Sequence, residues 1–185
     1  MAKLVGFIGG PCTGKTTLAH AVLESLNIKG LKAEWANEFV TDDIQENGPP
    51  HLDYYIYEQY RFLFHQNRRE ESAKQNADIV LTDAPLILGY LYTLQNTSKH
   101  THGRQNQFFE ELKKLFVEDK NRYQHLYLLK REFDFEDNGI RFHSHKESIA
   151  FDNFIRTTLE QNNVAFKELS GDVPTRTKAV LEDIL

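Results

Sequence analysis

Two glycines, Gly9 and Gly14, bracket four residues, and Lys15 and Thr16 follow at once. Glycine, ammonium and hydroxyl at this spacing are groups that can hold a polyphosphate. The run Gly9-Gly10-Pro11-Cys12-Thr13-Gly14-Lys15-Thr16 meets G-x-x-x-x-G-K-[ST] at every fixed position. Its glycines let backbone N–H groups curl around an anion, and a helix that starts after the loop turns its partly positive end on the same charge. Lys15 is expected to reach the β- and γ-phosphates, and the Thr16 hydroxyl to ligate Mg²⁺. A chance glycine turn would share the letters but not the setting. Apolar Leu4-Val5-Gly6-Phe7-Ile8 comes before, and helix-like Thr17-Leu18-Ala19-His20-Ala21-Val22-Leu23 comes after. Gly9, Gly10, Pro11, Cys12, Thr13, Gly14, Lys15, Thr16 and Thr17 are therefore read as the seat of ATP. Cys12 is read as a small filler inside that loop.

Two carboxylates stand where such chemistry needs them. Asp83 closes the apolar run Ile79-Val80-Leu81-Thr82, the form of a Walker B strand. From there it can hold a magnesium-bound water beside Thr16 or take a proton from the acceptor. A helix N-cap is the plainer reading and is compatible with the first, because Ala84-Pro85 suits the first positions of a helix. Glu38, in Asn37-Glu38-Phe39-Val40, is the acceptor-side candidate. A hydroxyl acceptor must lose its proton as the P–O bond forms, and a nearby carboxylate suits that task. A phosphate acceptor needs no base, and Glu38 would then bind a sugar hydroxyl or pair with an arginine. Asp42 and Asp43 are nearby substitutes.

A transferring phosphoryl group spreads negative charge, so fixed cations help it. Arg141, in Asp137-Asn138-Gly139-Ile140-Arg141, is the preferred candidate and Arg131 the second, against a reading of each as solvated surface arginine. Arg176, before the last helix, is placed to stack on adenine. At helical spacing Tyr57, Tyr60, Arg61 and Phe64 share a face. That stretch is mostly core in character, with Tyr54, Tyr57 and Arg61 as candidates to touch a base or sugar. His100-x-His102 and His143-x-His145 lack a third metal ligand at helpful spacing, and no Ser-His-Asp or Cys-His arrangement stands out.

These groups need a scaffold. At 185 residues, with 40% hydrophobic and 26% charged residues, one globular domain over 1–185 is expected. The net charge of −5 gives no general pull towards nucleic acid or anionic membrane. No apolar run is long enough to span a bilayer, and Met1-Ala2-Lys3 leads straight into a strand, so neither membrane partner nor signal peptide is expected. The single cysteine excludes an internal disulfide and fits a reducing compartment. The expected location is the cytoplasm, of the host if the protein is viral.

Strand-like runs at Lys3–Ile8, Ala33–Val40, Asp78–Asp83, His125–Lys130 and Val164–Leu169 alternate with helical patterns. The helices are read at Lys15–Ser25, Asp53–Asn76, Leu86–Leu94, Gln105–Phe116, Lys146–Asn162 and Pro174–Ile184. Alternation of this kind predicts βαβ units and a parallel α/β sheet, with ligands at the carboxyl ends of the strands. Residues 41–52, with Asn47-Gly48-Pro49-Pro50 as a breaker, are read as an acceptor-side loop, and residues 131–146 as a flap over ATP. Asn96–Arg104 is read as a flexible connection.

With Gly9–Thr16, Glu38, Asp83 and Asp137–Arg141 in this order, the chain resembles the thymidylate-kinase-like P-loop kinases. Within them it is most similar to the group holding the ribosylnicotinamide kinase domain of a bacterial NAD regulator and related phage proteins often labelled AAA-type ATPases. The resemblance spans almost the whole chain, but only the glycine loop is highly specific. It implies a P-loop NTPase three-layer sandwich, a five-stranded sheet ordered 2-3-1-4-5 with helices on both faces, Mg-ATP as donor, and a nucleoside- or nucleotide-like acceptor. Ala84-Pro85 stands where thymidylate kinases place an arginine, which argues against thymidine monophosphate. Other readings stay open: a nucleoside monophosphate kinase, or a phage-type kinase acting on hydroxymethylated bases in DNA. Arg104, Lys113, Lys114, Lys120, Arg122 and Lys146 could form a basic patch for the latter. From another class, an ATPase switch acting on a macromolecular partner would need a water-positioning residue and a partner surface, and no clear sensor arginine or coiled coil is seen. A GTPase would need an N-K-x-D motif, which the chain lacks. Monomer and homodimer are both compatible with the sequence.

Overall fold

Buried residues on consecutive positions, Leu4-Val5 and Phe7-Ile8, mark Lys3–Ile8 (β1) as a strand covered on both faces. In this computed structural model, which describes residues 2–49, 55–100, 105–132 and 145–185, β1 is the central strand. After it come Lys15–Ile28 (α1), Ala33–Ala36 (β2), Phe39–Asn47 (α2), Tyr55–Asn76 (α3), Ile79–Thr82 (β3), Leu86–His100 (α4), Gln105–Asp119 (α5), His125–Leu129 (β4), His145–Gln161 (α6), Lys167–Leu169 (β5) and Val173–Ile184 (α7). The five strands are parallel in the order β2-β3-β1-β4-β5, with Leu4 opposite Val80 and Gly6 opposite Leu126. This is the P-loop α/β arrangement that the family resemblance implied.

Strand periodicity divides the core in two. Val5, Phe7, Leu81 and Tyr127 pack with Leu18, Val22, Leu26, Val180 and Ile184, so α1 and α7 cover one face. Leu4, Ile8, Val80, Leu126 and Leu128 pack with Leu63, Ile87, Leu91, Phe116, Phe151 and Ile155 of the helices on the other. Right-handed crossovers explain the split, since β1 connects outward to β2 in one direction and all later strands are laid down in the other. The connections leave β1 and β3 towards opposite faces, and a crevice opens at their carboxyl ends.

Several expected boundaries move. The strand read through Val40 ends at Ala36, and most of the expected loop 41–52 is helix α2. Glu38, in extended conformation, takes the N-cap position, and Gly48 (φ 81°) ends the helix with its N–H on the Ile44 carbonyl. Polar Thr41-Asp42-Asp43 masked that helix, which is stabilised by ion pairs to α3 rather than by an apolar stripe. Helix α1 runs on to Ile28, where Gly30 (φ 74°) lets the Leu31 N–H reach back to the Leu26 carbonyl. Helix α4 continues to His100 through part of the expected connection, and residues 101–104 lie outside the described ones. Among the described residues, no helix is long and apolar enough to cross a membrane.

Candidate active site

The loop after β1 turns through Gly9 (φ 145°), Cys12 (φ 62°) and Gly14 (φ 84°), and Gly14 is the N-cap of α1. Gly14 carries no side chain to cap the helix, so the N–H groups of Lys15, Thr16 and Thr17, which have no intrahelical acceptor, are left for an anion. The loop's carbonyls are held by side chains. Lys15 Nζ donates to Gly9 O and Gly10 O, both at 3.0 Å, and Thr13 Oγ1 donates to Gly10 O at 3.0 Å. Arg131 Nη1 donates to Pro11 O at 2.6 Å, and Arg176 Nη1 to Thr13 O at 2.9 Å.

At the end of β3, Asp83 is buried in the crevice. The Thr16 hydroxyl donates to its Oδ2 at 2.5 Å and the Trp35 indole N–H to its Oδ1 at 3.0 Å. The N-cap reading of Asp83 is thereby corrected: its carboxylate is turned to α1 and β2, and α4 starts three residues later. A hydroxyl and a carboxylate in contact are hard oxygen donors, which is what Mg²⁺ takes. Among the described residues no group of three or more His, Cys, Asp or Glu is gathered for a metal. A metal at Thr16 and Asp83 would therefore fill its remaining positions from phosphate and water, as Mg²⁺ does. The residues present fit the ion.

Glu38 shares the electrostatics of this crevice. Burial pushes its carboxyl above the usual range, opposed by a hydrogen bond from the Thr41 hydroxyl and by the charge of Lys15. Burial in turn pushes the Lys15 ammonium down, opposed by Glu38, Asp83 and Asp152. Each group's charge thus opposes the shift that burial imposes on the other. Helix α3 supports Glu38 from behind: Arg69 donates to its carbonyl at 3.0 Å and pairs with Asp42 at 2.8 Å. Gln66 Oε1 accepts the Phe39 N–H at 2.8 Å, and the Phe39 ring stacks on His65 at 4.5 Å.

Other expectations land differently. Arg61, read as a contact for base or sugar, makes a two-pronged pair with Asp43 at 2.7 and 2.6 Å and a second pair with Glu58. It ties α2 to α3, and buried Asp43 serves that tie rather than acting as a substitute base. Tyr57 is 36% exposed with its ring edge-on to Phe108, 4.6 Å away. Arg176, expected to lie over adenine, is 1% exposed and sits under the loop, bonded to Thr13 O, Lys130 O and Glu132. Arg131 is likewise held, with Nε on Asp152 at 2.8 Å and Nη1 on Pro11 O. Tyr54 and Arg141 lie outside the described residues.

Sequence reading missed Trp35, Asp152, Arg69 and Glu132. Trp35 carries a signal in hindsight, being the chain's single tryptophan and lying in a strand that leads to the crevice. Asp152 carries none, since it meets Gly10 across 142 positions of sequence, taking its N–H at 2.6 Å.

With this geometry in view, comparisons with known proteins agree on the fold. The sequence model of a family described as an AAA domain (AAA_28) matches residues 4–176. No curated protein matches the chain by sequence. Among solved structures, a NadR protein in complex with NR superposes with a TM-score of 0.74 at 19% identity, over 98% of this chain and 51% of that one. A deoxyadenosine kinase from M. mycoides with bound dATP gives 0.70 at 14% identity, over 98% of both chains. A thymidylate kinase from Candida albicans gives 0.55 at 15% identity, over 99% of this chain and 91% of that one. The chain spans about half the length of the NadR structures it matches, at 51% and 48%.

Proposed function

For a chain that belongs to the AAA_28 family of AAA domains, we propose an ATP- and Mg²⁺-dependent kinase acting on a hydroxyl of a nucleoside- or nucleotide-like acceptor. The observation that carries this reading is Glu38. A carboxylate with raised proton affinity lies within electrostatic reach of the lysine of a phosphate-binding loop. A hydroxyl acceptor has a proton to give up to such a group. Likeness in fold to a deoxyadenosine kinase and a thymidylate kinase supports the acceptor class.

The roles follow from position. The amides of Lys15, Thr16 and Thr17, with Lys15 Nζ, bind and orient the triphosphate, and Lys15 must then exchange its loop carbonyls for phosphate oxygens. Thr16 and Asp83 would hold Mg²⁺, which, when bound, neutralises charge on the phosphate oxygens. Glu38 takes the acceptor's hydroxyl proton as the new P–O bond forms. The bond from γ-phosphorus to the bridging oxygen breaks, and ADP leaves with that electron pair. Arg141 is the candidate for charge neutralisation at the transferring group, and Tyr54 and Tyr57 for contact with the acceptor. The whole chain, 1–185, acts as one cytoplasmic kinase domain in this reading.

A screen of radiolabelled γ-phosphoryl transfer from ATP to nucleosides, monophosphates, nicotinamide riboside and hydroxymethylated DNA tests it. Label transferred to one acceptor class by the wild type, and abolished by Lys15→Ala in a folded variant, is the expected result. Acceptor-independent ATP hydrolysis stimulated by a protein partner would count against a kinase and for a switch.

A further inference from the structure

A loop that turns its N–H groups towards an anion must send its carbonyls elsewhere, and each needs a donor there. Here Pro11 O and Thr13 O, on either side of Cys12, are each taken by one arginine. Cys12 itself is in the left-handed region (φ 62°), which costs a residue with a Cβ. The two arginines therefore pin the strained residue from both flanks.

Both are in turn held by carboxylates, and the two pairs meet at one place. Arg131 and Glu132 are consecutive residues at the exit of β4 and splay to opposite sides. Arg131 pairs with Asp152 of α6 at 2.8 Å, and the other Asp152 oxygen accepts the Gly10 N–H at 2.6 Å. Glu132 pairs with Arg176 of α7 at 2.9 Å and also accepts the Gly171 N–H. Helices on both faces of the sheet are thus fastened to the loop's carbonyl side through one dipeptide. The approach at Gly10 is so close that an added Cβ would meet Asp152 Oδ1 at 2.7 Å, Arg131 Nη2 at 2.9 Å and the Ser148 carbonyl at 3.2 Å.

We propose that the pairs Arg131–Asp152 and Glu132–Arg176 are positioning pairs for nucleotide binding: they hold Pro11 O and Thr13 O so that the loop's amides face the triphosphate. The inference rests on the reading of this loop as an ATP site. These four residues act through the loop's main chain. They set the affinity for the donor and leave the acceptor side alone.

The test is calorimetric binding of Mg²⁺·AMP-PNP to the full chain and to Asp152→Asn, Glu132→Gln and Arg176→Lys, with the thermal shift that the nucleotide induces and the apo melting temperature measured beside it. Each variant is expected to raise the nucleotide Kd about tenfold or more and to shrink the induced shift. With an acceptor in hand, the KM for ATP should rise and that for the acceptor stay put. Glu132→Gln removes a charge from a side chain 38% exposed, so it serves if an arginine variant does not fold. A lower apo melting temperature with unchanged nucleotide Kd means the pairs only hold the helices on, and overturns the proposal. Wild type that binds AMP-PNP while all folded variants bind as tightly sinks this inference alone. Wild type that binds no nucleotide sinks the kinase reading with it.

Discussion

Trp35 donates its indole N–H to Asp83 Oδ1 at 3.0 Å while the Thr16 hydroxyl holds Oδ2 at 2.5 Å. The carboxylate of the proposed metal site is therefore aimed by a side chain from β2. Outer partners of this kind orient a ligating group and commonly matter about ten- to a hundredfold in metal affinity or activity. Trp35→Phe keeps an aromatic ring and deletes the donor. About a tenfold rise in the Mg²⁺ concentration that half-saturates activity is expected, with little change in melting temperature. Because Trp35 is the only tryptophan, its emission in the wild type should respond to Mg²⁺ and nucleotide together. An emission blind to both would show that Asp83 does not take part.

Glu38 and Lys15 set opposite limbs of the pH profile. A base must be ionised to act, and burial raises the Glu38 carboxyl, so activity should climb with pH at values above the ordinary 4.5. Burial lowers the Lys15 ammonium, so the phosphate-binding charge should be lost below the ordinary 10.5, and the rate should fall on that side. Glu38→Gln is expected to cut kcat by about 10²–10⁴ and to erase the acid limb. An unchanged acid limb in that variant assigns the proton to another group.

Glu70 of α3 is fully buried, with the Tyr123 hydroxyl at 2.9 Å and Arg122 Nε at 3.1 Å. Burial pushes its carboxyl up to about 7 despite Arg122. The folded chain thus holds this proton more tightly than the unfolded one, whose value stays near 4.5. Its stabilising contribution is complete below about 4.5 and is lost as pH rises through about 7. The difference between those values sets a ceiling of about 3 kcal/mol. Urea unfolding at pH 5 and pH 8 should show a smaller drop in Glu70→Gln than in the wild type. Equal drops would remove Glu70 from the pH dependence.

Two glycine-to-alanine changes separate backbone from side-chain crowding. Gly10→Ala drives a Cβ into Asp152, Arg131 and the Ser148 main chain, which cannot all yield, so a loss of about 1–3 kcal/mol is expected. Gly89→Ala meets Leu63 Cδ2 at 2.6 Å, the far end of a flexible side chain inside a helix that favours alanine by about 1 kcal/mol. Its net effect should fall within about 1 kcal/mol of zero. Denaturation midpoints of the two variants check the contrast.

Much of this protein is written locally. The glycine loop, the buried run of β1 and the carboxylate closing β3 depend on spacing and on neighbours in sequence, and each was legible from the letters alone. Helix α2 was not, because its residues are polar and its stability comes from Arg61 and Arg69 on another helix. The destinations of Arg131 and Arg176 were still less legible: their carbonyl partners lie 120 and 163 residues away. The sequence reads both arginines as groups for the nucleotide, and in the fold each also holds a carbonyl of the loop. A motif specifies which groups exist and which conformations they can adopt. Where a long cationic side chain ends depends on right-handed crossovers and parallel register, which lay the exit of β4 beside the phosphate loop, and only the folded chain creates that neighbourhood.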